Sequence, residues 1–160
     1  MQRSSIKRFK HFSTCANRYE RRKYDRLVRV SSVLQSGSVF TTGEGKMNFV
    51  TEKEGTCSAV LIRGAEPVEN IELMSLNRYK KPYNELSKYQ VKNLLNGPGK
   101  LCNALNIAKE HNGTDLTGNE IYVEDDGFSD FIVEKSKRIN IDYAEEARDF
   151  LWRYTMLKNS

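Results

Sequence analysis

Residues 96–105, with the sequence NGPGKLCNAL, fix the point at which one helix of this 160-residue chain can begin. Pro98 is tolerated in the first turn of a helix, because its missing N–H would have no partner there in any case. From Leu101 onward, apolar residues recur at positions i, i+3, i+4 and i+7, which predicts an amphipathic helix. These residues are Leu101, Ala104, Leu105 and Ala108. The sequence HNG at 111–113 predicts the end of that helix.

The Gly-Pro-Gly-Lys turn at residues 97–100 (the GPGK turn) is a candidate anion site. A helix N-terminus exposes N–H groups and a partial positive charge. Gly97 and Gly99 would let another backbone come close, and Lys100 adds a full charge. A nucleotide P-loop is excluded, because its pattern needs Gly and Ser or Thr where the chain has Leu94 and Leu101. Two interpretations stay open, namely a phosphate contact or a tight helix start with an exposed lysine.

Composition excludes several classes of protein. Hydrophobic residues make up 38% and charged residues 29%, and the length fits one domain. No apolar run approaches the roughly 20 residues that cross a bilayer, so we expect no membrane segment. Three cysteines (Cys15, Cys57 and Cys102) are too few and too scattered for a disulfide framework or a zinc site. With only two histidines besides, we expect neither a metal nor a cofactor.

The positive charge of the chain is concentrated near its N-terminus. Residues 1–50 hold 11 Lys and Arg against 3 Asp and Glu, whereas the remaining residues hold 15 against 18. A mitochondrial transit peptide, a nucleic-acid-binding arm and a solvated tail all have this composition, and the sequence does not decide between them. We therefore expect a nuclear or mitochondrial location if the source is eukaryotic, and a cytoplasmic one otherwise.

Apolar periodicity and turn residues divide the chain into short elements. Strands are predicted at 27–34, 47–51, 57–64, 120–124, 131–135, 138–142 and 151–156, with a hairpin between the second and the third. Helices are predicted after Pro67 and up to Pro82, from the N-cap Asn84 to Gly97, and after the GPGK turn. Residues 1–26 are predicted to be a basic arm that could be helical in part, and residues 35–46 are predicted to be a loop. The fold class is α+β, a single compact domain with a mainly antiparallel sheet and a few helices.

Three sequence blocks carry a resemblance to a known family. They are AVLIRGAEPVENIELM at 59–74, NGPGKLCNALNIAKEHNGTDLTGNEIYVED at 96–125 and SKRINIDYAEEARDFLWRY at 136–154. In this order and spacing they resemble the alkyladenine (3-methyladenine) DNA glycosylases, which are monofunctional base-excision repair enzymes. The resemblance covers about residues 48–160 and implies a compact mixed domain with an antiparallel sheet.

The resemblance also implies a function. Members of the family flip a damaged purine out of the duplex and hydrolyse its N-glycosidic bond. The implied partner is double-stranded DNA with damaged purines, without a cofactor, and the implied state is a monomer. Arg63 matches the arginine that holds the attacking water, Asn48 the asparagine that excludes normal guanine, and Leu61 a residue close to the DNA. Gly99 and Lys100 fall in a turn that looks like a phosphate contact.

The chain departs from the family pattern in its first third. The family's general base is a glutamate in an E-A-Y type segment, but the only acids before Met47 are Glu20, Asp25 and Glu44. Thr41 stands where the family has an intercalating tyrosine, and threonine is too small to replace a stacked base. Loss of a general base costs about 10²–10⁴-fold in rate. We therefore predict very weak or no base excision by this chain.

Several alternatives follow from this departure. The chain is predicted to join a basic, divergent segment at 1–46 to an incomplete glycosylase-like domain at 47–160. A non-catalytic nucleic-acid-binding protein that keeps the scaffold is the alternative function, and a chain with unpaired strand edges that folds poorly is a third possibility. Ordinary structural roles also stay open for Asn48 (a polar strand residue), Leu61 (core) and Arg63 (an ion pair).

Overall fold

A computed structural model describes residues 8–15, 39–41, 45–53, 58–123 and 129–158. Its strands are β1 (Arg8–Cys15), β2 (Val39–Thr41), β3 (Met47–Val50), β4 (Ala59–Glu66), β5 (Phe131–Ser136) and β6 (Arg153–Lys158). They form one six-stranded sheet in the order β2-β3-β4-β1-β6-β5, and all neighbouring strands are antiparallel. The predicted antiparallel sheet is therefore confirmed.

In the described parts of the chain, three α-helices accompany the sheet. They are α1 (Ile71–Tyr79), α2 (Lys88–Lys92) and α3 (Pro98–Leu105), with 3₁₀ segments at Tyr83–Glu85, Lys109–His111 and Asp142–Asp149. Together with the sheet they confirm the α+β fold class. Within the described residues, no helix has the length and apolar character needed to span a membrane.

The β3–β4 hairpin was predicted and is confirmed. Asn48 pairs with Leu61 and Phe49 with Val60, and the Thr51 N–H donates to the Ser58 carbonyl at 3.2 Å. Directly opposed residues of an antiparallel pair lie on the same face of the sheet. The hairpin therefore has one face with Phe49 and Val60 and another with Asn48 and Leu61.

The hydrophobic core lies between the first of these faces and helices α1 and α3. Met47 and Ile62 from the sheet pack with Met74 of α1 and with Leu101 of α3, and the two helix residues are fully buried. The Asn77 side-chain amide of α1 donates to the Ala104 carbonyl of α3 at 2.9 Å. This bond fixes the two helices against each other above the sheet.

The two N-terminal strands correct the prediction for the first 46 residues. Arg8–Cys15 is a strand between β4 and β6 rather than a helix, and Val39–Thr41 is a strand rather than part of a loop. Strand formation depends on partners that are distant in sequence, so the local pattern does not report it. The sheet thus joins residues on both sides of position 47, and the predicted strand at 27–34 lies outside the described residues.

Helices α1 and α2 differ from the prediction in their ends. Helix α2 begins after Ser87 instead of Asn84, because the Ser87 hydroxyl accepts from the Gln90 N–H at 3.2 Å and the Gln90 side chain accepts from the Ser87 N–H at 2.9 Å. This reciprocal capping box is a strong helix start. Helix α1 ends at Tyr79, before Pro82, since Lys80 adopts a left-handed conformation.

Three further predictions are corrected in the C-terminal half. Helix α3 ends at Leu105, because Asn106 is left-handed, so Ala108 lies outside the helix. Residues 120–123 are not a strand, and residues 138–142 give way to the 3₁₀ segment Asp142–Asp149 after a left-handed Asn140. Strands β5 and β6 are confirmed, although β6 begins at Arg153 rather than at 151.

The core contact of α3 gives a test of this packing. We expect Leu101→Ala to lower the free energy of unfolding by about 2–5 kcal/mol, because it removes a fully buried side chain and leaves a cavity. Leu76→Ala, at a position of α1 that is 41% exposed, is the matched control, with a change of about 0.5 kcal/mol. Urea denaturation measures both, and equal effects would contradict the assigned core.

Candidate functional site

Asn48 and Leu61 lie opposite each other on the sheet face that points away from α1 and α3. Asn48 is only 5% exposed, and its side-chain amide donates to the Lys46 carbonyl at 3.3 Å. Leu61 is half-buried. The pair therefore combines a buried amide with an apolar neighbour on the sheet face opposite the main core.

Arg63 lies at a β-bulge in β4. The pairs between β4 and β1 run from Ile62–Phe12 to Gly64–His11, so Arg63 is one additional residue on β4. A bulge bends the strand and changes the direction of the side chain at that point. Arg63 follows Leu61 by two residues, so strand alternation places both on the same face.

The bulge also changes which residues of β4 face the core. Ile62 and Ala65 both belong to the core cluster, although they are three residues apart instead of two. The additional residue at Arg63 accounts for this spacing, because it shifts the alternation by one position. As a result Glu66, the last residue of β4, comes to the same face as Arg63.

The GPGK turn lies beside this end of β4. Gly64, the residue after Arg63, forms an antiparallel bridge with Asn96, and Asn96 directly precedes Gly97. The structure therefore brings together two predicted parts of the site, Arg63 and the turn that contains Gly99 and Lys100. They are far apart in sequence and neighbours in space.

The two glycines of the turn have different surroundings. Gly97 has φ 141° and ψ 142°, a conformation that favours glycine, and its carbonyl accepts from the Leu101 N–H at 2.9 Å. A Cβ at Gly97 would lie 3.2 Å from Cδ of Lys100, so the lysine stem folds across this glycine. A Cβ at Gly99 would meet no atom within 4 Å. Gly97 is thus required by the turn, whereas Gly99 borders open space.

Lys100 is half-buried and hydrogen-bonded. Its ammonium donates to Oδ1 of Asn93 at 2.8 Å. Lys100 is thus less exposed than the structural alternative assumed, while the tight helix start of that alternative is present, and the choice between it and a phosphate contact stays open. The Lys100 ammonium is therefore held on the Gly97 side of the turn.

Arg153 lies on the same sheet face as Asn48 and Leu61, and the sequence patterns did not single it out. It pairs with Ser13 of β1, which in turn pairs with Leu61. The Nε atom of Arg153 is buried and has no hydrogen-bond acceptor among the described residues. This placement depends on the pairing of β1, which no local sequence signal indicated.

Two titratable groups with shifted pKa values, Cys102 and Asp115, have structural roles. Cys102, in α3 behind the GPGK turn, is 1% exposed, and burial raises the pKa of its thiol. It is therefore a core residue rather than a nucleophile at neutral pH. The N–H and the hydroxyl of Thr117 donate to Asp115 and hold the pKa of that carboxyl below its usual range. Where the structure describes the chain, no group of three or more His, Cys, Asp or Glu could hold a metal ion.

The chain belongs to the methylpurine-DNA glycosylase family, whose sequence pattern matches residues 39–160. The match confirms the resemblance. It begins at residue 39, nine residues before Asn48. It includes Thr41, which lies in β2 at one edge of the sheet. The roles predicted for Arg63, Asn48, Leu61, Gly99 and Lys100 stay predictions.

Three bacterial proteins named "Putative 3-methyladenine DNA glycosylase" are similar to this chain. The protein of Alkaliphilus oremlandii is 56% identical over 113 residues, which cover 71% of this chain and 56% of the relative. That of Clostridium acetobutylicum is 51% identical over 113 residues, with 71% and 55% covered. That of Clostridium perfringens strain 13 is 54% identical over 116 residues, with 71% and 57% covered. The chain thus spans about half the length of these relatives, and their bacterial origin does not support a nuclear or mitochondrial location.

The two glycines of the GPGK turn provide a matched test. Gly97→Ala is expected to lower the free energy of unfolding by about 1–3 kcal/mol, because alanine is strained at φ 141°. Gly99→Ala is expected to be neutral or to stabilise by up to about 1 kcal/mol, since the added methyl meets open space within a helix. Thermal and urea unfolding measure both variants. A larger loss for Gly99→Ala than for Gly97→Ala would contradict the described turn.

Proposed function

We propose that the protein binds double-stranded DNA that contains damaged purines and acts as a DNA glycosylase in base-excision repair. Family membership supports this proposal, and the Gly64–Asn96 bridge is the observation that carries it. Because of that bridge, the arginine expected at the scissile bond and the turn expected at a phosphate lie at one end of β4. The chain spans about half of its relatives, so the activity in their names is a proposal for this chain.

In this proposal the face of β3 and β4 forms the wall of the base pocket. A purine in a duplex must leave the base stack before its glycosidic bond is accessible. The buried amide of Asn48 would discriminate among flipped purines, and the apolar side chain of Leu61 would pack next to the DNA. The guanidinium of Arg63 is a donor-only group, suited to orient an attacking water through its N–H bonds.

The GPGK turn would hold the DNA backbone. Helix α3 begins at this turn, and a helix N-terminus attracts anions through its N–H groups and its partial charge. The open space beside Gly99 leaves room for a phosphate to approach the main chain. Lys100 adds a positive charge on the Gly97 side of the same turn, and this charge gives binding that weakens as salt rises.

The proposed hydrolysis also needs a group that accepts a proton from the water. The E-A-Y type segment that supplies it in the family is not present in the 160 residues, so the expectation of very weak excision stays a prediction. Glu66 is the carboxylate to test first if excision is detected, because the bulge places it on the face of Arg63. We further propose a monomer and, from the bacterial relatives, a cytoplasmic location.

Two measurements on the intact chain test the proposal. We expect tighter binding to a duplex with an abasic-site analogue than to the undamaged duplex, because the pocket and the turn recognise an extrahelical nucleotide. Equal binding to all duplexes, with a steep dependence on salt, would instead favour the non-catalytic nucleic-acid-binding protein. Absence of binding by a folded protein would overturn both functions.

Arg63 is tested by single-turnover excision of hypoxanthine. We expect any excision by the chain to be very slow and Arg63→Ala to abolish it, since the attacking water would lose its donor. Arg148→Ala is the matched control, because this arginine is 57% exposed and contacts Asp149 at 3.8 Å, and the proposal gives it no role. Excision that survives Arg63→Ala would remove Arg63 from the mechanism. Rapid excision by the unmodified chain would show that a general base is present after all.

A further inference from the structure

The side chain of Lys100 follows a defined path rather than extending into solvent. Its methylene groups lie over Gly97, where a Cβ would come within 3.2–3.6 Å of Cγ, Cδ and Cε. Its ammonium then donates to Oδ1 of Asn93 at 2.8 Å. The ammonium has three N–H donors, and Asn93 is its one hydrogen-bond acceptor within the part of the chain that the structure describes.

Asn93 is itself held in place by its own helix. It follows the last residue of α2, and its N–H donates to the carbonyls of Tyr89 and Gln90 at 3.1 and 3.2 Å. Its side-chain amide donates to the Tyr89 carbonyl at 3.0 Å. With its Nδ2 bound in this way, Oδ1 is presented to Lys100 in a single orientation.

A second element fixes the backbone at Asn93. The guanidinium of Arg78, in α1, donates to the carbonyl of Asn93 and, at 2.7 Å, to the carbonyl of Leu94. The same guanidinium lies 4.5 Å from the ring centroid of Tyr79. Arg78 therefore connects α1 to the segment between α2 and the GPGK turn.

We propose that Asn93 is a positioning residue for DNA binding, which orients the ammonium of Lys100 toward a phosphodiester of the bound strand. A free lysine side chain loses rotamer freedom when it binds an anion, and a side chain that is already ordered loses less. The network of Arg78, Asn93 and Gly97 orders Lys100 before DNA arrives. This inference rests on the proposed function, in which the GPGK turn contacts the DNA backbone.

Asn93 and Lys100 are tested by DNA binding at several salt concentrations, with an abasic-analogue duplex as the probe. Loss of one phosphate contact lowers the slope of log K against log salt by about 0.9. We expect Lys100→Met to raise Kd several-fold and to lower the slope by this amount. Asn93→Ala is expected to raise Kd several-fold at an almost unchanged slope, because the lysine keeps its charge and loses only its fixed position. The double variant should bind no more weakly than Lys100→Met alone, because the two residues act as one unit.

Two further variants separate positioning from a purely structural role. Asn93→Asp keeps the lysine in place but adds a carboxylate, which would neutralise the cation and repel the phosphate, so binding should be weaker than in Asn93→Ala. Asn103→Ala replaces an exposed asparagine that lies on the same side of helix α3 as Lys100. This variant should leave Kd and the slope unchanged. Urea unfolding confirms that every variant is folded where binding is measured.

The possible results distinguish this inference from the proposed function. If the chain binds the abasic duplex selectively and Asn93→Ala alters only stability, with an unchanged Kd, the positioning role is overturned and the proposed function stands. If Lys100→Met leaves the slope unchanged, the phosphate contact is overturned as well. If the unmodified chain binds no DNA, the proposed function fails and this inference fails with it.

Discussion

The additional residue in strand β4 is the constraint on which the site depends. Ile62 and Ala65 can both pack in the core only because Arg63 interrupts the two-residue alternation between them. Arg63 itself lies on the opposite face, two residues after Leu61, which is the partner of Asn48. One local irregularity thus lets β4 pack against the helices and carry the residues of the proposed pocket.

The position of the Lys100 ammonium depends on several helices. Helix α3 starts at the GPGK turn and is anchored in the core by Leu101, while α1 sends Arg78 to the segment that precedes the turn. The charged group of Lys100 therefore depends on α1, α2 and α3 together, although only α3 carries it. Such dependence on several rigid elements is how a flexible side chain acquires one position.

The sequence predicted the local features of this fold better than the distant ones. The start of α3 and the β3–β4 hairpin depend on neighbouring residues, and both were predicted correctly. The strand at Arg8–Cys15 depends on β4 and β6, which lie far away in sequence, so its pattern alone suggested a helix or a tail. The start of α2 has a local signal, because Ser87 followed by Gln90 is a capping pattern that competes with Asn84 as the N-cap. In the site, Arg63 came from family resemblance, whereas its bulge and the contact of Lys100 with Asn93 have no signal in a single sequence.

The bridge between Gly64 and Asn96 has a consequence for the solubility of the chain. Strand β3 begins at Met47 and pairs with β4 next to Leu61. The bridge to Asn96 gives β4 a further partner at Gly64. Unpaired strand edges are templates for association with other chains, and proteins commonly cover them with a loop. The segment that leads into the GPGK turn therefore also protects the sheet. Displacement of this segment would expose backbone N–H and carbonyl groups of β4, so that self-association would accompany any displacement of the GPGK turn.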